Sequence, residues 1–416
     1  MHTVQLRTAH ATPADAPQFC PVAQLPPLCR PVESGRVRVF RFPLGFRLRF
    51  RPRFRLRSIH GRKASMASHP WAKELAVAQA AVLRAARLTK DALSSVHARS
   101  KPDASPVTAA DLAAQALLTS ILRAEFPHDR FVGEEGSAVL RGDPALRDRV
   151  HELYSAAAAA APGCASSPDE MLRLIDLGGQ GTGGPRGRFW VMDPVDGTAG
   201  FLRGEQYAVA LALVEDGAEA VAAIAYPNLR LVGGRVAESS VDSRGLGVML
   251  SAARGHGASV TWLPCAEGPW ETRPLARLPP PPDAPPSKLH VVDCDRNRAS
   301  HRRVVARVCD RLGADFPGTD VWSSHVRYAS LILGGGDFWV RTPSGPESWP
   351  CIWDHAGAQL IYTEVGGKAT DLDNRAVDFG AGRHLSRNRG LVLARAELHE
   401  QVVAAVRQEV GQGYVP

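Results

Sequence analysis

Cysteine is scarce and scattered. The chain has seven Cys in 416 residues, with no C-x-x-C pair and no spacing that would suit zinc. That excludes a structural zinc cluster and a disulfide framework, and leaves the reduced thiols expected of a cytosolic or organellar protein. Long apolar runs are missing too. Nothing approaches the roughly 20 residues a transmembrane helix needs, so no membrane partner is expected. No internal repeat is present. Acidic residues are nearly absent from residues 1–65, where twelve Arg and one Lys face only Asp15 and Glu33, a balance of +11. The net charge of the whole chain is +8, so the remainder carries −3. The folded part is mildly acidic, and the high pI gives no reason to expect a nucleic-acid partner.

The acid-poor, Arg-rich start has the composition of an organelle transit peptide, for chloroplast or mitochondrion. The alternation of Arg with Leu, Phe and Pro over residues 47–57 is unusual for such a helix. Two other readings stand beside it: a start at Met66, or a basic tail for an anionic surface. The rest is 44% hydrophobic and 22% charged across the whole chain, a globular composition long enough for about two domains.

The central stretch is Phe189-Trp-Val-Met-Asp193-Pro-Val-Asp196-Gly-Thr198. Residues 189–193 read as a buried strand. Pro194 cannot extend a ladder, and Gly197 invites a turn. A strand ending this way can aim Asp193, Asp196, the Val195 carbonyl and the Thr198 hydroxyl into one crevice, an oxygen set that suits a hard divalent cation. Alone, it reads equally well as an ordinary turn.

Helical spacing runs from about residue 70 to 96, and again from 109 to 122. Thr108 suits the N-cap of the second helix, with Asp111 three positions on, as in a capping box. Residues 131–136 read as a short strand running into Glu134, Glu135 and a glycine turn. Residues 138–188 are Ala- and Gly-rich and read as a surface helix and a flexible lead-in. A hairpin follows over 207–214 and 220–226, then strands near 247–251 and 258–263. Residues 264–287 are Pro-rich, with the composition of a linker. Beyond it come a strand from Lys288 to Asp293, a helix over 301–312, an apolar helix over 328–333 and a strand over 337–341. Asp354 stands at a further helix start, where an N-cap is the simple reading. Strands and helices alternate, which predicts an α/β or α+β layered class. The domains expected are a basic extension over 1–65, an α+β domain over 66–263, a linker over 264–287 and an α/β domain over 288–416.

Four acidic elements thus stand in order: Asp111 after Pro-Val-Thr, Glu134 in Gly-Glu-Glu, Asp193 with Asp196 in Asp-Pro-Val-Asp-Gly-Thr, and Asp354 in Trp-Asp-His-Ala. This closely resembles the lithium-sensitive, magnesium-dependent phosphatase superfamily of inositol monophosphatases, fructose-1,6-bisphosphatases and 3'(2'),5'-bisphosphate nucleotidases. Gly187-Arg-Phe-Trp, Gly200-Phe-Leu-Arg-Gly-Glu-Gln-Tyr, Tyr226-Pro-Asn-Leu, Ala253-Arg-Gly-His-Gly and Val377-Asp-Phe-Gly-Ala-Gly-Arg resemble the nucleotidase branch. The likeness covers roughly residues 70–395.

The resemblance implies an αβαβα sandwich and a Mg2+ cofactor, held by Glu134, Asp193, the Val195 carbonyl, Asp196 and Asp354. It implies that Asp111 and Thr198 activate water. The amides of Gly197 and Thr198, at the start of a following helix, can hold phosphate oxygens. His301, Ser324, Arg327 and Arg341 match positions that bind the nucleotide and its second phosphate. The implied reaction is loss of the 3'-phosphate from adenosine 3',5'-bisphosphate, and also from 3'-phosphoadenylyl sulfate, in sulfate assimilation, by a monomer acting on a small-molecule substrate. Lithium sensitivity is a family expectation. The rivals are an inositol polyphosphate 1-phosphatase and a non-catalytic bisphosphate-nucleotide sensor. The chain departs from the pattern at Ala199, where Lys is usual, at Ser323-Ser-His325, where Asp-Ser-Gln is usual, and at Arg327, where Lys is frequent. These departures bear on affinity and substrate preference more than on the reaction.

Overall fold

The computed structural model describes residues 69–93, 98–100, 106–159, 167–263, 270–279, 288–296, 299–343, 345 and 348–410. The basic extension, the transit-peptide and Met66 readings that go with it, and residues 264–269 and 280–287 of the Pro-rich segment lie outside them.

Helix α1 spans Ala72–Ala92. Short strands β1 (Ala98–Ser100) and β2 (Pro106–Thr108) pair antiparallel and lead into α2 (Ala109–Glu125). Strand β3 is Arg130–Gly133. Three helices follow: α3 (Ala138–Gly142), α4 (Pro144–Ala158) and α5 (Pro168–Gly179). Then come β4 (Arg188–Asp196), the five-residue helix α6 (Thr198–Leu202), and strands β5 (Ala208–Glu215), β6 (Ala218–Tyr226), β7 (Val248–Ala253), β8 (Ala258–Trp262) and β9 (Glu271–Pro274). The second half runs β10 (His290–Asp293), α7 (Ala299–Leu312), β11 (Asp315–Asp320), α8 (Ser324–Leu333), β12 (Phe338–Arg341), α9 (Ala356–Glu364), β13 (Gly367–Thr370), β14 (Leu391–Arg395) and α10 (Ala396–Val410).

Among the described residues the larger sheet has seven strands, in the order β3-β4-β5-β6-β7-β8-β9, and the other has five, in the order β11-β10-β12-β14-β13. β4 is buried along nearly its whole length, which is why Phe-Trp-Val-Met reads as a continuous apolar run. Its alternate residues face opposite cores. Trp190 and Met192 pack with α1, α2, α4 and α5, whereas Phe189 and Val191 pack with α8 and α9. The other side of α8 and α9 meets Trp339, Leu391 and Leu393 of the five-stranded sheet. The far face of that sheet, through Val291, Phe338, Val340 and Val392, packs on α7 and α10. The five layers are helices, sheet, helices, sheet, helices, which is the αβαβα arrangement that the motifs imply.

Three segments differ from the sequence reading. Among the described residues between 138 and 188 there are three helices rather than one surface helix and a flexible lead-in. The last, α5, has Ser167 as its N-cap, Pro168 in its first turn and a buried stripe of Met171, Leu172, Leu174 and Ile175. The Pro-rich segment contains β9, which pairs antiparallel with β8, so the larger sheet reaches Pro274. β11, with the turn-like sequence Asp-Phe-Pro-Gly-Thr-Asp, adds a parallel edge strand beside β10. An edge position tolerates proline.

Candidate active site

The central stretch turns where the sequence says it should. The β4 ladder to β5 is interrupted between Asp193 and Asp196, where Pro194 has no N–H to give. The Val195 amide donates to Asp193 Oδ1 at 3.2 Å. Gly197 takes φ +88°, a left-handed conformation that favours glycine. A Cβ there would lie 2.9 Å from the Cβ of Ser323, so the loop also needs glycine for space.

Asp193, Asp196 and Asp354 each bring a carboxylate oxygen within 4.8 Å of the others. Asp193 and Asp196 come from the end of β4, and Asp354 from the 3-10 turn Ile352–Asp354 that precedes α9. Three carboxylates this close repel one another. Burial pushes the Asp354 carboxyl up to about 7, and the negative charges of Asp196 and Glu134 push the same way, against Arg341 and Arg327. An all-oxygen, all-anionic donor set under mutual strain suits a hard divalent cation. Glu134 stands half-buried at the end of β3, its amide donating to the Met192 carbonyl at 3.3 Å, next to the residue that carries the first carboxylate.

Asp111 is completely buried in the first turn of α2. Its Oδ2 accepts the Thr108 amide at 3.0 Å and the Thr108 hydroxyl, and its own amide donates to Thr108 Oγ1 at 3.3 Å. The capping box read from sequence is therefore present. Oδ1 lies 3.5 Å from the Thr198 hydroxyl, which is also 3.2 Å from the Val195 carbonyl.

The second-half residues converge on the same place to different degrees. Arg341 ends β12 with its charge disfavoured by burial and by Arg327, and favoured by Asp354. Arg327 is braced: Nε donates to the Val321 carbonyl at 3.0 Å and Nη2 to the Trp322 carbonyl at 2.7 Å, with the guanidinium 5.0 Å from the centroid of the Trp339 ring. Ser324 is buried at the start of α8. His301 is buried on α7, with Nδ1 2.8 Å from Thr342 Oγ1 and Nε2 3.5 Å from Asp293 Oδ1. Both ring nitrogens face protein atoms, and Thr342 directly follows Arg341.

Several residues that shape the site have no role in the sequence reading. The buried Gln115 amide donates to the Glu135 carbonyl at 2.5 Å and the Ile175 carbonyl at 2.9 Å, and accepts the Glu135 amide at 2.9 Å. It holds the turn after Glu134. The available signal was a polar side chain one turn after Asp111 in an Ala/Leu-rich helix. Arg383 donates to the carbonyls of Gly133, Gly178 and Gly181 at 2.8, 3.2 and 2.9 Å, and lies 4.6 Å from the centroid of the Trp353 ring. Its signal was a lone Arg closing a glycine-rich motif.

Comparison with known proteins agrees with this geometry. The model of the inositol monophosphatase family matches residues 70–411. A curated 3'(2'),5'-bisphosphate nucleotidase of Emericella nidulans is 37% identical over 80% of this chain and 96% of its own length. The protein of that name from Oryza sativa is 34% identical over 83% of this chain and 96% of its own. Among solved structures, the extragenic suppressor protein suhB of Bartonella henselae shares the fold, with a TM-score of 0.51 at 16% identity, over 81% of this chain and 99% of that one. With its layers, its ordered carboxylates and a match spanning nearly all of the described residues, the chain belongs to the inositol monophosphatase family.

Proposed function

We propose that the protein is a magnesium-dependent 3'(2'),5'-bisphosphate nucleotidase, a phosphomonoesterase that removes the 3'-phosphate of adenosine 3',5'-bisphosphate to give AMP and phosphate. The observation that carries the chemistry is the meeting of the Asp111–Thr198 pair with the Asp193, Asp196 and Asp354 carboxylates at the end of β4. The names of relatives at 34–37% identity support the substrate class.

Glu134, Asp193, the Val195 carbonyl, Asp196 and Asp354 would hold magnesium. When bound, the metal supplies positive charge against the phosphate oxygens and makes a bound water more acidic. Asp111 Oδ1 accepts a proton from the attacking water, directly or through the Thr198 hydroxyl. The amides of Gly197 and Thr198 hold phosphate oxygens at the start of α6. Arg327 and Arg341 attract the second phosphate, and Arg327 does so from a fixed position because two carbonyls already hold its fork. Ser324, at the start of α8, and His301, on α7, are the residues we assign to the base and ribose. An inositol monophosphate has no group for the arginines.

The test is phosphate release by the full chain with magnesium, on adenosine 3',5'-bisphosphate, inositol 1,4-bisphosphate, inositol 1-phosphate and fructose 1,6-bisphosphate in parallel. A strong preference for the nucleotide, lost with EDTA, is the expected result. Preference for an inositol phosphate overturns the pocket assignment. Nucleotide binding without any release overturns the enzymatic reading in favour of a sensor.

A further inference from the structure

Helix α8 begins where the carboxylates meet. Ser323 is its N-cap, accepting the Val326 amide at 3.0 Å and donating its hydroxyl to Asp196 Oδ2 at 2.6 Å. The His325 amide donates to the same oxygen, also at 2.6 Å. Two donors occupy the two lone pairs of Oδ2 and leave Oδ1 to a cation. The His325 side chain reaches the other carboxylate loop, with Nε2 2.9 Å from the carbonyl of Trp353, the residue before Asp354. A carbonyl only accepts, so Nε2 carries the proton and Nδ1 is bare. The ring is wholly buried, and Nδ1 has no hydrogen-bond partner among the described residues.

Asp196 and Asp354 are far apart in sequence and belong to different elements. Carboxylate oxygens of the two lie within 4.8 Å of each other, so their charges repel. His325 contacts both loops at once, one through its backbone and one through its side chain.

We propose that His325 is a positioning residue that fixes the separation of Asp196 and Asp354, its amide holding the first carboxylate and its Nε2–H holding the loop that carries the second. The proposal rests on the reading of these two carboxylates as metal ligands. It also gives a physical role to a position where the chain departs from the pattern it resembles. A glutamine amide could make the same bond to the Trp353 carbonyl, whereas asparagine is too short and alanine has no donor.

The experiment compares His325→Gln, His325→Asn and His325→Ala in the full chain. It measures the Mg2+ dissociation constant by calorimetry without substrate, together with the melting temperature of each protein in chelator. Outer-shell partners of this kind typically contribute about 10–100-fold in metal affinity, so Asn and Ala are expected to weaken binding by that factor while Gln stays within about threefold of the parent. A role confined to packing would lower the melting temperature and leave the dissociation constant unchanged. That result for Asn and Ala overturns the proposal, as does Gln binding as weakly as Ala. If the Ala variant does not fold, the Asn variant carries the comparison. Asp196→Asn and Asp354→Asn serve as controls. If both bind Mg2+ like the parent, the ligand reading itself fails and takes this inference with it.

Discussion

Asp111 divides its two oxygens between Thr108 and Thr198: Oδ2 closes the capping box of α2, and Oδ1 lies 3.5 Å from the Thr198 hydroxyl. The cap and the base, which compete as readings of the sequence, are two ends of one carboxylate. Helix capping fixes the rotamer and thereby aims the proton acceptor.

Substitutions at Asp111 should therefore separate stability from catalysis. Asp111→Asn keeps a capping oxygen but loses the base, so kcat should fall about 10²–10⁴-fold with little change in melting temperature. Asp111→Ala loses both, and should add a cost of about 0.5–2 kcal/mol in stability. Nucleotide binding should largely survive in either. Unchanged turnover in Asp111→Asn would remove this residue from the chemistry.

Asp354 should make metal-free stability depend on pH. Its folded-state pKa of about 7 lies above that of an unfolded carboxyl, at about 4. The protonated form is thus favoured in the folded state, and its contribution to stability is full below about pH 4 and lost as pH rises through about 7. In chelator, the Asp354→Asn variant should match the parent near pH 4 and melt increasingly above it as pH rises to about 8. Magnesium binding near pH 6.5 should release protons, seen as a buffer-dependent calorimetric heat. Equal pH profiles for the two proteins would rule out the raised pKa.

Gly197→Ala should impair the site without altering any charge. The φ of +88° costs an L-residue about 1–2 kcal/mol, and the new Cβ meets Ser323 at 2.9 Å. Ser323 donates to Asp196, so metal activation should weaken along with stability. A variant with normal magnesium dependence and melting temperature would show that the loop can adopt another conformation.

Gln115→Leu should destabilise more than a typical buried polar-to-apolar exchange. It removes this side chain's bonds to the Glu135 amide and to the carbonyls of Glu135 and Ile175, and losing a buried partner costs about 1–3 kcal/mol. The turn carrying Glu134 should loosen, raising the magnesium concentration needed for half-maximal activity. Thermal melts and magnesium titrations on the same preparation would check both effects.

Local patterns were readable, and distant partnerships were not. Thr108 and Asp111 announce a cap because both partners lie within one turn. Asp193 to Thr198 announce a site because strand end, proline, glycine and oxygen ligands are contiguous. The layered class followed from alternating elements, since each must bury one face. Gln115, Ser323, His325 and Arg383 act through carbonyls, amides and a carboxylate as much as 250 residues away in the case of Arg383, and sequence spacing carries no trace of those contacts. β11 was unreadable for a different reason: its Pro and Gly look like a turn, and only pairing with β10 at the edge makes it a strand.

The inner helices α8 and α9 have a mechanical consequence. Their side chains belong to one apolar cluster with residues from both sheets, and Gly357 of α9 lies so near the larger sheet that a Cβ would come 3.3 Å from Ile224. The carboxylates at the end of β4 and the arginines of the second half therefore rest on a shared slab. Opening them like a two-lobed jaw would expose that core to water. The carboxylate loops and the two arginines are thereby tied to one packed core rather than to two separate ones.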